Sequence, residues 1–363
     1  MFPSVTKGEE YSAGFAPARF LRRRSRLYAL IVLILLLIPA ILLALSIGST
    51  DIPFSTTAKI LLSKLPFVSF SPTWSASMET VIVDIRLPRI LLAAIAGAAL
   101  SVAGATYQGL FRNPLADPYL LGVAQGAGLG AVVGFMLHLG WGGWGLGLVS
   151  VLAFVGALSA AFFVYYIGRV GRTLPMTTLI LAGVAVGAFL SAITAYLMIT
   201  SGDSLHGIYS WLMGGFSSPK WVQVEVILPF AAVGIFVICL YGRHLNVMQL
   251  DEEQAQQLGI NVELTKRVLL LAATLITAVA VCFGGIIGFV GIIMPHALRL
   301  VWGPDYRFLL PMAAAAGGIF LILADLLART VLAPQEIPLG IITAFFGAPF
   351  FIYLLRQRKR AVF

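Results

Sequence analysis

Residues Arg86–Gly122, RLPRILLAAIAGAALSVAGATYQGLFRNPLADPYLLG, decide how the rest of the chain is read. Arg86 and Arg89 open an apolar helix in which Gly97, Ser101 and Gly104 share one face with Gln108. A polar loop bracketed by prolines, Arg112–Pro118, then breaks that helix before a second glycine-bearing apolar run. In lipid, small residues let helices approach closely, and a polar residue on the same face needs a partner or a water-lined space. The stretch therefore predicts closely packed membrane helices.

The composition agrees. Of 363 residues, 60% are hydrophobic and 11% charged, where a soluble domain carries about a quarter charged residues. The bilayer is the solvent for most of this chain. The net charge of +9 does not point to nucleic acid, because no basic stripe with interleaved aromatics exists. Cys239 and Cys282 fall inside apolar runs and read as reduced core thiols. The arginines before Leu27–Leu45 resemble a signal peptide, but the apolar region is too long and no convincing cleavage site follows. An uncleaved first span is expected.

Crossing the hydrocarbon core takes about 20 apolar residues. Ten segments qualify, near 27–47, 89–111, 119–139, 147–168, 177–199, 221–241, 266–283, 286–300, 308–328 and 339–355. The eighth is short and interrupted by Gly288, Gly291 and Pro295. This gives an all-α integral membrane protein with about ten transmembrane helices. Residues 1–26 form a terminal arm, 27–355 a single transmembrane domain, and 356–363 a tail. With both termini on one side, Lys59, Lys64, Arg86, Arg89, Lys220 and Arg329 fall on the opposite side, and the other eighteen of the 24 lysines and arginines on the terminal side. The positive-inside rule makes that side cytoplasmic. Ten segments also divide into two halves of opposite direction, an inverted repeat common in transporters.

Three connecting segments carry further structure. Phe54–Leu65 is a short amphipathic run on the outer side. Ser204–Gly215 is another short helix, read either as part of an outer gate or as an interfacial helix anchored by Tyr209 and Trp211. The large hydrophilic insertion is Tyr241–Arg267, residues 241–267. There Asp251 is placed to cap a short helix, with Gln254 completing a capping box, and Gly259 offers a left-handed stop. Asn261 is placed to cap the helix that follows.

Several function classes lack support. His138, His206, His244 and His296 are scattered and have no metal-ligand spacing, and no G-x-S-x-G or catalytic carboxylate pair occurs. No metal site is expected. Ion-coupled transport needs an acid or base deep in the bilayer, whereas Asp325 lies near a span end with Arg329 four residues on, and Glu225 lies near Lys220. An ion-coupled secondary transporter remains the alternative reading. There is no G-x-x-x-x-G-K-[ST] phosphate loop, so any ATP chemistry belongs to a partner.

The motif RLPR, then GA-x-L, then Q followed by RNPLA-x-P-x-x-LG resembles the FecCD or BtuC-like family, the membrane permeases of ATP-driven importers for vitamin B12, haem and iron–siderophores. LNVMQLDEEQAQQLGINVELTKR resembles that family's cytoplasmic coupling segment. GGIIGFVGIIMPHALRLVWGPDYRFLLP, DLLART and EIPLGIITAFFGAPFFIYLL resemble its C-terminal blocks, so the resemblance runs from Asp84 to Leu355.

The resemblance implies a BtuC-like fold and a permease without its own ATPase site or cofactor, ATP-Mg being held by the partner. It implies a second permease copy as a homodimer, two ATP-binding subunits, an extracytoplasmic substrate-binding protein, and residence in a bacterial or archaeal cytoplasmic membrane. It implies docking of the binding protein by Arg86, Arg89 and Arg329. Coupling to the ATPase would fall to Asp251, Glu252, Glu253, Gln254, Ala255, Leu258 and Gly259. Asn113, Leu115, Met176 and Thr177 would form inner constrictions, although Pro175 and Met176 depart from the family's small polar residues. The Gly97–Gln108 face suits either a passage or plain helix packing. The cargo implied is a metal chelate, iron–siderophore first, then a corrinoid or haem.

Overall fold

A computed structural model of the chain describes residues 23–48, 52–64, 73–137, 146–216 and 218–360. His138, most of the terminal arm and the last three residues lie outside them. The described chain is built from helices in the order α1 (Arg23–Ser46), α2 (Phe54–Ser63) and α3 (Ala76–Thr80), then α4 (Leu87–Leu110), α5 (Val123–Met136), α6 (Leu148–Gly168) and α7 (Met176–Thr200). These are followed by α8 (Leu205–Leu212), α9 (Trp221–Leu240), α10 (Gly242–Val247), α11 (Glu252–Gln257) and α12 (Val262–Gly284), then α13 (Val290–Trp302), α14 (Tyr306–Thr330) and α15 (Leu339–Arg360).

Among the described residues, seven stretches are long and apolar enough to cross a membrane, and α5, α13 and the apolar part of α15 are shorter apolar helices. The ten expected segments all exist, but three differ in extent. The second begins well before residue 89. Ala76 to Leu110 is one continuous helical run, joined through the π-wound turn Val81–Arg86. The third, expected over 119–139, is cut to the 14 residues of α5. Asp117 and Pro118 hold the preceding chain in turns, and Gly122 starts the helix at φ +73, a conformation glycine adopts without strain. The eighth starts only at Val290, after the non-helical stretch 285–289. Its 13 residues span about 20 Å, less than the roughly 30 Å hydrocarbon core.

Non-helical backbone beside the membrane helices needs partners inside the protein. Here Gly215 N–H donates to the Gly284 carbonyl, Leu339 N–H to Gly214, and Gly340 N–H to Met213. The Tyr119 hydroxyl donates to the Ile287 carbonyl at 2.8 Å and accepts from Ile287 N–H at 3.1 Å. Thus 284–289 is stitched to the segment just after α8, which in turn holds the start of α15, and to the loop before α5.

Helix α4 is the axis of the fold, buried along most of its length and packed against α14, α12, α13 and α9. Its glycines explain the closeness. A Cβ on Gly97 would lie 2.2 Å from the Gly317 carbonyl of α14, and one on Gly104 only 1.8 Å from the Gly291 carbonyl of α13. The α5–α6 pair repeats the device, Gly126 against Gly156. By contrast α7 shows much of its apolar surface, including Leu181, Phe189, Tyr196 and Ile199.

Candidate functional site

The structure gathers the candidate residues at two opposite ends of the bundle. At the first end, α1 stops at Ser46, and the last carbonyls of any helix lack intrahelical partners and carry partial negative charge. Two arginines fill that vacancy. Arg86 Nη1 donates to the Leu45 carbonyl at 2.6 Å and to Ser46 at 3.2 Å, while Arg329 Nη2 donates to Ala44. Arg329 also pairs with Asp325 one turn earlier, at 3.4 Å. Arg89 bridges two acids. Its Nε lies 3.0 Å from Asp325 Oδ1, and its two terminal nitrogens grip Glu336 at 2.8 and 2.9 Å.

This corrects the expectation of surface arginines. Arg86 is only 5% exposed and Arg329 8%. Both turn inward onto the end of α1, and these donors are engaged within the chain. Arg89 is joined to a carboxylate open to solvent, the Glu336 side chain being 53% exposed. The expected Asp325–Arg329 pair forms. Glu225 and Lys220 form no ion pair among the described residues; Lys220 instead starts α9, its N–H donating to Gln223.

The second end carries the 241–267 insertion. Here α10 and α11 lie under α4, α14 and α12. Asp251 occupies the N-cap position of α11, but its side chain makes no cap bond. Its carboxylate turns to Arg112 of the RNPLADP loop at 3.3 Å, and Arg112 Nε donates to the Met248 carbonyl at 2.9 Å. The expected capping box is therefore replaced by a bridge between two loops. Gly259 does end the segment at φ +82, and Asn261 Oδ1 caps α12 by accepting from Leu264 N–H at 3.0 Å. Ala255, expected as a contact residue, is fully buried against the bundle and is unavailable to a partner. Glu253, Gln254 and Leu258 face outward.

Sequence reasoning missed the anchor of this segment. Lys266, 2% exposed, reaches Glu252 at 2.8 Å, Glu263 at 3.2 Å and the Leu174 carbonyl at 3.2 Å. Glu263 in turn accepts from Leu174 N–H at 3.0 Å. One lysine thus joins the insertion, α12 and the turn before α7. The Glu263–Lys266 spacing of three was the available signal.

Asn113, Leu115 and Thr177 are exposed at this same end, and Met176, the first residue of α7, is half-buried. Asn113 Oδ1 accepts from Leu115 N–H at 3.0 Å, an Asx turn that shapes the loop. Burial pushes the half-buried Asp117 carboxyl up to about 6, against the opposing bond from Tyr119 N–H. Nearby, Asp305 caps α14, and its bonds from Arg307 and Asn246 hold it down at about 2.

Gln108 stands apart from these. It is buried, and its amide donates to the Gly291 and Ile292 carbonyls at 3.3 Å. Of the two readings of the Gly97–Gln108 face, this geometry is that of plain helix packing, Gly104 bringing α4 and α13 into backbone contact.

Among the described residues there is no group of three His, Cys, Asp or Glu placed to hold a metal. Both cysteines are free. The two ends agree with the charge tally: Arg26, Arg112, Lys266 and Arg307 lie with the insertion, and Arg86, Arg89 and Arg329 lie together opposite.

A family model described as the FecCD transport family matches residues 34–357. The cobalamin import system permease protein BtuC of Halobacterium salinarum is 43% identical over 329 residues, covering 87% of this chain and 86% of that one. The hemin transport system permease protein HmuU of Yersinia pestis is 40% identical, covering 81% and 90%. A solved structure described as an inward-facing conformation of a metal-chelate type ABC transporter superposes with a TM-score of 0.76 at 28% identity, covering 91% of this chain and 99% of its own. The match spans nearly every helix described above and includes both ends of the bundle, and the chain belongs to the FecCD transport family.

Proposed function

We propose that this permease subunit of an ABC importer carries a metal chelate across the cytoplasmic membrane, an iron–siderophore first, with a corrinoid or haem next. The observation that carries the reading is the insertion 241–267, two short helices held rigidly on the bundle by the buried Lys266 while Glu253, Gln254 and Leu258 stay outward. A connector needs no such anchor; a lever does. The ATP-hydrolysing subunits dock there, holding ATP-Mg themselves, and this chain contributes no cofactor and no catalysis. The insertion end, with both termini, faces the cytoplasm.

At the other end an extracytoplasmic binding protein delivers the cargo. Arg89 is the docking arginine nearest the surface, and Arg86 and Arg329 hold the rim of α1 and α14 in place beneath it. Asn113, Leu115, Met176 and Thr177 form the inner constriction. Two copies of the chain enclose the path, since one supplies only half a channel.

The test is uptake into vesicles holding this chain with its companion ATPase, loaded with binding protein and, in parallel, ferric siderophore, cobalamin or haem. ATP-dependent accumulation of one of them supports the reading and names the cargo. Accumulation without the ATPase, tracking a proton gradient, would replace it with ion-coupled transport.

A further inference from the structure

Between α6 and α12 lies a cavity of about 590 Å³, lined by Leu121, Leu158, Phe162, Tyr165, Leu271 and Leu275 among others, with Arg267 at one end. Its walls follow from helical spacing. Arg267, Leu270, Leu271, Thr274 and Leu275 form one face of α12, and Leu158, Ala161, Phe162 and Tyr165 one face of α6. The helices run antiparallel, so Arg267, near the start of α12, and Tyr165, near the end of α6, lie at the same depth. Thr274 offers the groove no free hydroxyl, being bonded to Tyr107 at 2.9 Å.

The charge at the mouth is unbalanced. The exposed Arg267 bends toward the start of its own helix, its Nε donating to the Glu263 carbonyl at 3.2 Å. Glu263, one turn back, and Glu252 are both taken by Lys266. Arg267 forms no ion pair among the described residues, and the α6–α7 turn at this end adds the exposed Arg169 and Arg172. An apolar slot opening at a basic rim fits a molecule with an anionic head and a hydrocarbon tail. A basic pocket between membrane helices at headgroup depth is the chemistry that holds an acidic phospholipid.

We infer that this groove is a binding site for an anionic phospholipid of the leaflet on the insertion side, its phosphate on Arg267 and an acyl chain along the α6–α12 cleft. A lipid there touches α12 directly above Lys266, so it stiffens the helix to which the insertion is tied. This inference uses only the membrane setting and is independent of the cargo and of the ATPase.

Native mass spectrometry of the purified full chain tests it. The protein is offered equal phosphatidylglycerol and phosphatidylcholine with identical acyl chains, and the retained lipid is counted. The wild type should favour phosphatidylglycerol by about fivefold, the contribution of one basic residue near a lipid surface. Arg267→Gln should bring the ratio near one without emptying the groove. Leu271→Trp, which fills the cleft, should lower retention of both lipids. Arg243→Gln, an exposed arginine elsewhere on the same face, should change nothing. An unaltered ratio in Arg267→Gln, an equal loss in Arg243→Gln, or unchanged retention in Leu271→Trp overturns the site. So does a changed oligomeric state in Leu271→Trp, which would make the groove an interface between copies.

Discussion

The Nζ of Lys266 sits 2.8 Å from the Glu252 carboxylate, and it is buried while Glu252 is nearly half exposed. The contact fixes the first turn of α11 to a membrane helix. A push on the insertion therefore travels into α12 through a charge pair and not through a loose connector.

Glu252 and its neighbour Glu253 should consequently behave differently. Glu252→Arg sets a like charge against Lys266 and is expected to destabilise the protein by about 1–3 kcal/mol while lowering ATP-driven uptake. Glu253→Arg, outward and without an ion pair among the described residues, should leave stability within about 0.5 kcal/mol. It should still weaken ATPase binding. Thermal unfolding and ATPase pull-down on the two variants separate the roles. Equal melting temperatures would remove Lys266 as the anchor.

The arginine cluster predicts an asymmetry between its two acids. Asp325 is buried against Arg89 and Arg329, and Asp325→Ala leaves buried charge uncompensated, at about 3 kcal/mol or more. Glu336→Gln at the exposed rim should cost less than about 1 kcal/mol. Unfolding in detergent reads both, and comparable losses would contradict the burial described for Asp325.

The helix contacts of α4 predict a steric failure at Gly104. A side chain there must displace the Gly291 carbonyl, so Gly104→Val should cost about 3 kcal/mol or more, as overpacking does. Gly147→Ala, where a Cβ would meet nothing within 4 Å, should be silent. Folded yield and melting temperature decide, and a stable Gly104→Val protein would refute the contact.

Asp117 predicts a pH dependence. Its carboxyl titrates near 6 in the folded protein, above the ordinary value of 3.8. Between those values the folded state binds the extra proton, so this group's contribution to stability falls as pH rises from about 4 to about 6. Asp117→Asn should flatten that part of the melting-temperature profile. A profile identical to wild type would show that the turn does not hold the acid as described.

Much of this was legible because lipid imposes simple rules. Long apolar runs must be helices, and glycines at Gly97 and Gly104 must serve close approach. Asn261 and Gly259 mark helix boundaries by local backbone chemistry, so they too were readable. The directions of Arg86 and Arg329 were not, because helical spacing says which face a side chain takes and nothing of what closes over it. The carbonyls that receive them come from the end of α1, some forty residues away from Arg86 and nearly three hundred from Arg329. Asp251 illustrates the same limit. Its sequence context describes a cap, yet Arg112, distant in the chain, offers a full charge in place of a backbone N–H. Helix α5 was overextended because hydropathy does not register the left-handed turn at Gly122.

The meeting of Gly97 with Gly317 and of Gly104 with Gly291 leaves no side-chain layer between the backbones. The side chains beside these crossings, Leu321 and Ser101 at the first and Pro118 at the second, already fill the space around the bare backbones. Bulk added at either crossing has nowhere to go but into the carbonyl opposite, so α13 and α14 keep their seats on α4 only while these glycines stay bare.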